Sequence, residues 1–338
     1  MKVRYLFFWM ALVPLAFTAC RPKAEPAGYS RNTGKIYGTF YNIVYQHPEG
    51  KDLQAEIDAR FAEFDLSMST FNPRSVISRI NTNDESVRTD AYFEAMYRQA
   101  VEVSEATNGA FDITVAPLVN AWGFGFGKQD RDSAPDVGAL LQLTGYKKIE
   151  LTGDRLVKSN PAIMLDASAI AKGQASDVIG HLLEAHGCRN YMVEIGGEVA
   201  CKGKNPKGEH WRIGIDKPVD DPANESPELQ TIVEISGVGL ATSGNYRQFY
   251  YRDGKKYAHT IDPRTGYPVD HRLLSATVVA ESCMKADAYA TAFMVLGTDS
   301  ALAICRKFPD MDCYLIYTDD AGKLQVAYTD GFQKYIAD

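Results

Sequence analysis

The sequence predicts an α+β fold, with mixed, largely antiparallel sheets and packed helices. Three observations carry this. Strand-like segments come in pairs around turn signatures: Thr152-Gly153-Asp154, Arg252-Asp253-Gly254-Lys255 and Asp320-Ala321-Gly322. Helical periodicity appears in separate stretches that do not alternate with strands in a βαβ rhythm. The composition, 45% hydrophobic and 23% charged over 338 residues, supplies enough apolar surface for one large domain or two smaller ones.

The N-terminal segment is not read as fold. Lys2 and Arg4 precede an apolar run over 5–19, interrupted by Pro14 and Thr18. Its length and flanks suit a signal peptide better than a spanning helix. The run ends Phe17-Thr18-Ala19-Cys20, which resembles a bacterial lipoprotein lipobox with Phe17 in the place usual for Leu. That resemblance implies removal of 1–20 at processing, a lipid on Cys20, and anchoring to a bilayer; an ordinary secreted protein is the alternative. Residues 21–33, with Pro22, Pro26 and Gly28, read as a flexible tether. This leaves 34–338 as the folded unit.

The formal charge of −7 becomes more negative once Lys2 and Arg4 are removed, which argues against non-specific nucleic-acid binding. A local basic pocket for a phosphate stays open. Cys188, Cys201, Cys283, Cys305 and Cys313 are odd in number and no pair has metal-ligand spacing, so they read as buried small hydrophobes.

The alternating, β-branched and tyrosine-rich run 36–46 reads as a strand containing Gly38-Thr39. Leu53, Ile57, Phe61 and Phe64 make one stripe of a helix over 52–64. Met68-Ser69-Thr70-Phe71-Asn72-Pro73 is a loop, 75–79 a short helix, and 92–108 a longer one stopped by Gly109. Gly109-Ala110-Phe111-Asp112 leads into Ile113-Thr114-Val115; the glycine-dense 122–127 reads as irregular and 129–135 as mobile. Ile163-Met164-Leu165 reads as a buried strand. It is followed by Asp166-Ala167-Ser168-Ala169-Ile170-Ala171-Lys172-Gly173 and a helix with Ala175, Val178, Ile179, Leu182 and Leu183 on one face, ending at Gly187. Strands are expected at 191–195, 211–216, 230–235, 238–242 and 273–281, with a surface excursion over 218–227. Hairpins are expected over 246–261 and 313–328, and helices over 285–296 and 300–308.

Several residues could carry chemistry. In the 166–173 stretch a carboxylate precedes a lysine at a helix start, where backbone N–H groups and an ammonium both favour an anion. An ordinary turn with a capping Asp and a solvated Lys is the alternative. Asp287 and Thr291, four apart on an apolar helix, put two oxygens on one face, a donor set suited to a hard cation such as Mg²⁺ that keeps waters and phosphates. The alternative is a helix-dipole Asp and a solvated Thr. His259, at a strand end before the Asp262 turn, could contact phosphate or move a proton. Gly196-Gly197-Glu198 could let backbone approach a ligand. Tyr37, Tyr41 and Phe71 could stack on a planar ring or simply pack in the core. No Walker loop, dinucleotide fingerprint or Ser-His-Asp order is present.

Taken in order, eight segments resemble the ApbE family, the FAD:protein FMN transferases. They are Gly38-Thr39, Met68-Ser69-Thr70-Phe71, Gly109-Ala110-Phe111-Asp112, the 166–173 stretch, Glu194-Ile195-Gly196-Gly197-Glu198, Ser243-Gly244-Asn245, His259-Thr260-Ile261-Asp262-Pro263-Arg264-Thr265-Gly266 and Ala286-Asp287-Ala288-Tyr289-Ala290-Thr291-Ala292. The resemblance spans about residue 34 to the end. It implies a T-fold-like catalytic unit that binds FAD in a cleft with Mg²⁺ at the pyrophosphate. The implied activity is transfer of FMN onto a threonine, sometimes serine, hydroxyl of a target protein, releasing AMP. The implied targets are subunits of membrane redox complexes, such as the Na⁺-translocating NADH:quinone reductase and its Rnf relatives, and the implied location is the periplasmic face of a membrane.

Carried over residue by residue, the resemblance assigns the metal to Asp287, Thr291 and the Ala169 carbonyl. It assigns the flavin nucleotide to Tyr37, Phe71, Ala110, Phe111, Asp112, Asp166, Lys172 and His259. Tyr37 stands where many members have Met, and Phe71 where Tyr or Trp is common. The acceptor proton needs a base, with His259 and a metal-bound hydroxide as candidates. Two rival readings remain at this level: a Mg²⁺-dependent FAD pyrophosphatase, and a lipid-anchored flavin-binding protein without catalysis.

Overall fold

In the computed structural model, residues 28–126, 134–218, 228–245 and 249–337 are described. Cys20, the expected leader, most of the expected tether, 129–133 and most of the expected 218–227 excursion lie outside them. Strand β1, Ser30–Ile36, pairs with β2, Thr39–Tyr45. The folded unit expected to begin at 34 begins earlier, because Ser30 to Thr33 already pair into the sheet. The single strand expected over 36–46 is half of a hairpin. Its two-residue connection, Tyr37-Gly38, has φ 50 and 75, the double positive φ that a type I′ turn requires. A tyrosine at the first of these positions hid the turn, since Asn or Asp is usual there.

Three helices follow: α1 (Gln54–Met68), α2 (Val76–Asn81) and α3 (Ala91–Ala106). Ser75 and Asp90 cap α2 and α3 by accepting the N–H of Ser78 and Phe93. Two short helices, α4 (Ala116–Ala121) and α5 (Val137–Leu141), were not anticipated. The hairpin of β3 (Ile149–Thr152) and β4 (Arg155–Lys158) precedes α6, Ala171–Ala185. Then come β5 (Tyr191–Ile195), β6 (Glu198–Lys202), β7 (Trp211–Asp216), β8 (Leu229–Ile235) and β9 (Val238–Gly244). The hairpin of β10 (Phe249–Arg252) and β11 (Lys255–Ala258), β12 (Leu273–Ala280), α7 (Cys283–Leu296), α8 (Thr298–Cys305), β13 (Asp312–Thr318) and β14 (Leu324–Tyr328) complete the order.

Eight strands form one sheet in the order β1-β2-β5-β6-β9-β12-β13-β14. Every pairing within it is antiparallel. Alternation sends successive side chains to opposite faces. Val193 and Ile195 of β5, and Ala276 and Val278 of β12, join the helices in the main core. Met192 and Val279 point the other way and meet Trp211, Ile215 and Val233 of the β7–β8 hairpin. Helix α7 is buried almost all round, with Cys283, Asp287, Tyr289, Phe293 and Met294 all inaccessible. A third cluster, around Leu118, Trp122, Val137 and Ile261, supports the β10–β11 hairpin. Its Trp122 indole N–H donates to the Gly266 carbonyl at 2.8 Å. The cysteines at 188, 201, 283, 305 and 313 are buried and unbridged, as small apolar residues.

One further expectation is corrected. Ile163-Met164-Leu165 is not a strand. Ile163 and Leu165 are fully buried, but the chain there is clasped by a side chain: Asn81 Nδ2 donates to the Leu165 carbonyl at 2.9 Å, and Leu165 N–H donates to Asn81 Oδ1 at 2.7 Å. An amide carries one donor side and one acceptor side, so it can stand in for a neighbouring strand at one residue.

Candidate active site

The stretch from Asp166 to Gly173 leaves that clasp and enters α6. Asp166 does not cap the helix. Its Oδ1 accepts the Ser168 N–H at 2.8 Å and the Ser168 hydroxyl at 2.5 Å, while its own N–H donates to the Ile113 carbonyl at 2.8 Å. Position 170 at the helix start offers no capping side chain. The orphan donor at Gly173 is met from another helix: Asp287 Oδ2 on α7 accepts it at 2.9 Å. A Cβ on Gly173 would lie 2.3 Å from the Cys283 carbonyl oxygen, so only glycine lets the two helices approach this closely. Ala169 lines the same region, and its carbonyl accepts no backbone N–H among the described residues.

Two cavities meet at this stretch. The larger, about 920 Å³, lies between the β1–β2 turn, α1 and the 69–74 loop. Its walls include Tyr37, Phe61, Phe64 and Phe71. Tyr37 is a fixed wall: its hydroxyl donates to the Phe61 carbonyl at 2.9 Å and its ring meets Phe61 edge-on at 5.9 Å. Burial, with help from Asp65, pushes the Tyr37 hydroxyl pKa up. Phe71 is 80% exposed with its ring edge-on to Phe126 at 6.5 Å, a large apolar group on the cavity wall that solvent still reaches. The second cavity, about 450 Å³, is the more polar of the two, and Ala110, Phe111, Asp112, Asp166, Ala169, His259, Asp287 and Thr291 all line it. Among the described residues, only Ser168 and Lys172 border both cavities.

The structure thus brings every expected nucleotide and metal residue to one of two adjoining spaces, with different degrees of freedom. Asp112 is spoken for. Its Oδ1 accepts from Thr114 N–H and hydroxyl at 2.8 and 2.6 Å, and its Oδ2 accepts the Tyr146 N–H at 2.6 Å. It shapes the 110–114 turn, and burial pushes its carboxyl pKa up against these bonds. His259 stands half-buried with its ring 6.4 Å from Phe124. Thr291 Oγ1 lies 3.1 Å from Ser243 Oγ, one helical turn from Asp287.

Asp287 is 2% exposed, and among the described residues only Gly173 donates to it. Burial pushes its pKa up, opposed by the Lys172 charge. A buried carboxylate with one protein donor and a threonine hydroxyl, on a cavity that Ala169 also lines, are hard oxygen donors, and they fit a small divalent cation with few protein ligands. No group of three His, Cys, Asp or Glu suited to a metal exists among the described residues.

Sequence reasoning missed Glu198 and Ser243 as site residues. Glu198 is buried at the start of β6, and its Oε1 lies 2.5 Å from Lys172 Nζ. Burial raises its pKa, opposed by Lys172 and reinforced by Asp287. For Lys172, burial works downward and is outweighed by Glu198 and Asp287, so its pKa is raised. The available signal was the Gly196-Gly197 pair before Glu198, both at positive φ; no spacing rule links it to Lys172.

Comparison with known proteins places the chain in a family. The sequence model of the ApbE family matches residues 37–315. The FAD:protein FMN transferase of Vibrio cholerae is 38% identical over 322 residues, covering 91% of this chain and 93% of that protein. The Escherichia coli protein of the same name is 33% identical over 324 residues, covering 91% of each. Among solved structures, the flavin transferase ApbE from Vibrio cholerae superposes with a TM-score of 0.82 at 36% identity, over 92% of this chain and all of that one. The ApbE protein from Thermotoga maritima gives 0.79 at 26% identity, again over 92% of this chain and all of that one. The chain belongs to the ApbE family.

Proposed function

We propose that this chain is an FAD:protein FMN transferase that moves FMN from FAD onto a threonine or serine hydroxyl of a target protein, releasing AMP, with Mg²⁺ as its metal. The observation that carries the reading is the pair of cavities joined at Lys172. One is aromatic and sized for a planar ring system; the other is polar, with oxygen donors and one ammonium suited to a pyrophosphate. The names of the relatives support it.

In the reaction, the target hydroxyl oxygen bonds to the FMN phosphorus as the bond to the AMP oxygen breaks. The protein's part is positioning and charge stabilisation. Lys172 supplies a fixed positive charge at the junction of the cavities, near the N-terminal end of α6. Tyr37 and Phe71 restrict the ring end of the substrate. Asp287, Thr291 and the Ala169 carbonyl would hold the metal, which when bound supplies Lewis-acid neutralisation of phosphate charge. With Asp287 engaged there and on Gly173, it is poorly placed to take the acceptor proton. His259 is the side chain of this cavity suited to that role.

We further infer a lipid anchor at Cys20 and action at the periplasmic face on subunits of membrane redox complexes of the Na⁺-translocating NADH:quinone reductase and Rnf type. The roughly ten residues from Cys20 to the first strand could extend about 30–35 Å, enough to let the domain turn above a bilayer. Among the described residues no helix is long and apolar enough to cross a membrane.

The test is product analysis. The purified chain, FAD, Mg²⁺ and a candidate acceptor subunit should give an acceptor whose mass rises by one FMN at a single hydroxyl, with one AMP per label. Free FMN and AMP with an unlabelled acceptor would make the chain a pyrophosphatase. Bound but intact FAD would make it a flavin-binding protein.

A further inference from the structure

Among the described residues Lys172 is the one charged side chain that borders both cavities, and in the structure its ammonium is already paired. Its partner Glu198 is 3% exposed, and the second carboxylate oxygen, Oε2, is buried with no hydrogen-bond partner among the described residues. The Glu198 backbone is pinned: its carbonyl accepts the Ser176 hydroxyl at 3.0 Å, and it pairs with Ile195 across the β5–β6 turn. That turn consists of Gly196 and Gly197, at φ 65 and 103. A Cβ on Gly196 would fall 2.9 Å from Thr39 Cγ2 and 3.3 Å from Lys172 Cδ, so the glycine makes room for the lysine stem. Glu198 and Lys172 are thus set against each other by backbone, not by chance of rotamers.

A buried carboxylate with one bare oxygen is poorly solvated, and such a group holds its single cation firmly. We propose that Glu198 is the resident counter-ion of Lys172: it fixes the ammonium at the junction while no nucleotide is bound and keeps a share of its charge afterwards. The nucleotide phosphates then exchange with Glu198 for the lysine rather than meeting a free ammonium, which weakens binding of both FAD and the AMP product and lets AMP leave. Glu198 is a positioning residue, acting through Lys172. This rests on the transfer reading above.

The test uses FAD itself, titrated by flavin fluorescence into the full chain with Mg²⁺ and no acceptor. Glu198→Gln keeps shape and removes the competing charge, so FAD should bind about tenfold tighter or more, while turnover with an acceptor falls as AMP release slows. Glu198→Asp keeps the charge and should stay near wild type in affinity. Lys172→Met leaves the buried Glu198 facing the incoming phosphates and should lose most binding; adding Glu198→Gln to it should restore part of that loss. A merely structural Glu198 would make the double variant worse than Lys172→Met alone. Affinity unchanged or weaker in Glu198→Gln, or a double variant no better than Lys172→Met, overturns the proposal. A wild-type chain that binds no FAD removes the transfer reading itself, so the two failures are distinguishable.

Discussion

The carboxylate of Asp287 on α7 accepts the backbone N–H of Gly173 in the first turn of α6. The favour is returned at the other helix: Asp177 on α6 accepts the N–H groups of Cys283 and Met284 at 2.9 and 2.8 Å, at the start of α7. Each helix N-terminus is therefore capped by a carboxylate from its neighbour. The consequence for function is that Asp287 does two things at once. It closes α6, and it stands at the wall of the polar cavity one turn from Thr291. Fold and site are joined at one residue.

Gly173→Ala tests the closeness of that helix pair. The new methyl would meet the Cys283 carbonyl oxygen at 2.3 Å and Asp287 Cβ at 2.8 Å. Overpacking of this kind should cost about 2–3 kcal/mol even though alanine is the better helix former. Urea denaturation measures it. Gly180→Ala, whose methyl would meet only the Tyr191 side chain at 3.2 Å, should cost clearly less.

Asn81→Ala tests the clasp on Leu165. Two hydrogen bonds to a buried backbone are lost, leaving the Leu165 donor and acceptor without protein partners. The expected loss is about 2–3 kcal/mol, and FAD affinity should fall with it, because the 166–172 stretch starts at that residue. Loss of stability with full FAD affinity would show that the stretch is positioned from elsewhere.

Burial raises the Asp177 carboxyl to about 6, opposed by the N–H groups of Met284 and Cys283. The sign follows from proton binding. Between pH 4 and 6 the folded chain binds more protons at this site than the unfolded chain, so its contribution to stability is present at low pH and is lost as pH rises through about 6. Asp177→Asn removes that titration. Relative to wild type, the melting temperature of Asp177→Asn should therefore improve as pH goes from 4 to 7. A difference that stays flat over that range would contradict the assignment.

Phe71 is exposed, so Phe71→Ala should leave the unfolding free energy within about 0.5 kcal/mol of wild type. If its ring covers the substrate, KM for FAD should rise about tenfold, the scale of one lost stacking contact. An unchanged KM would place the ring system of FAD elsewhere.

Much of this was legible in the sequence. The antiparallel α+β class, α1, α3, α6, α7 and most strands followed from periodicity, caps and turn signatures. What escaped was set by tertiary partners. The Tyr37-Gly38 turn was hidden by an unusual residue at positive φ. Ile163 and Leu165 have the burial of a strand, but one asparagine replaces the neighbouring strand. At the site, Asp287 and Thr291 were visible as a one-turn pair and Lys172 as a helix-start cation. Glu198 was not, because its significance is an ion pair across the core that no local pattern encodes. Asp112 reads like a ligand by motif, yet both its oxygens serve the turn beside it.

The most direct measurement is in-gel flavin fluorescence after incubating an acceptor subunit with FAD, Mg²⁺ and either the wild-type chain or Asp287→Ala. Wild type should give a covalently fluorescent acceptor, lost on chelation and regained with Mg²⁺, and Asp287→Ala should give none while that variant stays folded. Labelling that survives both chelation and Asp287→Ala would contradict it.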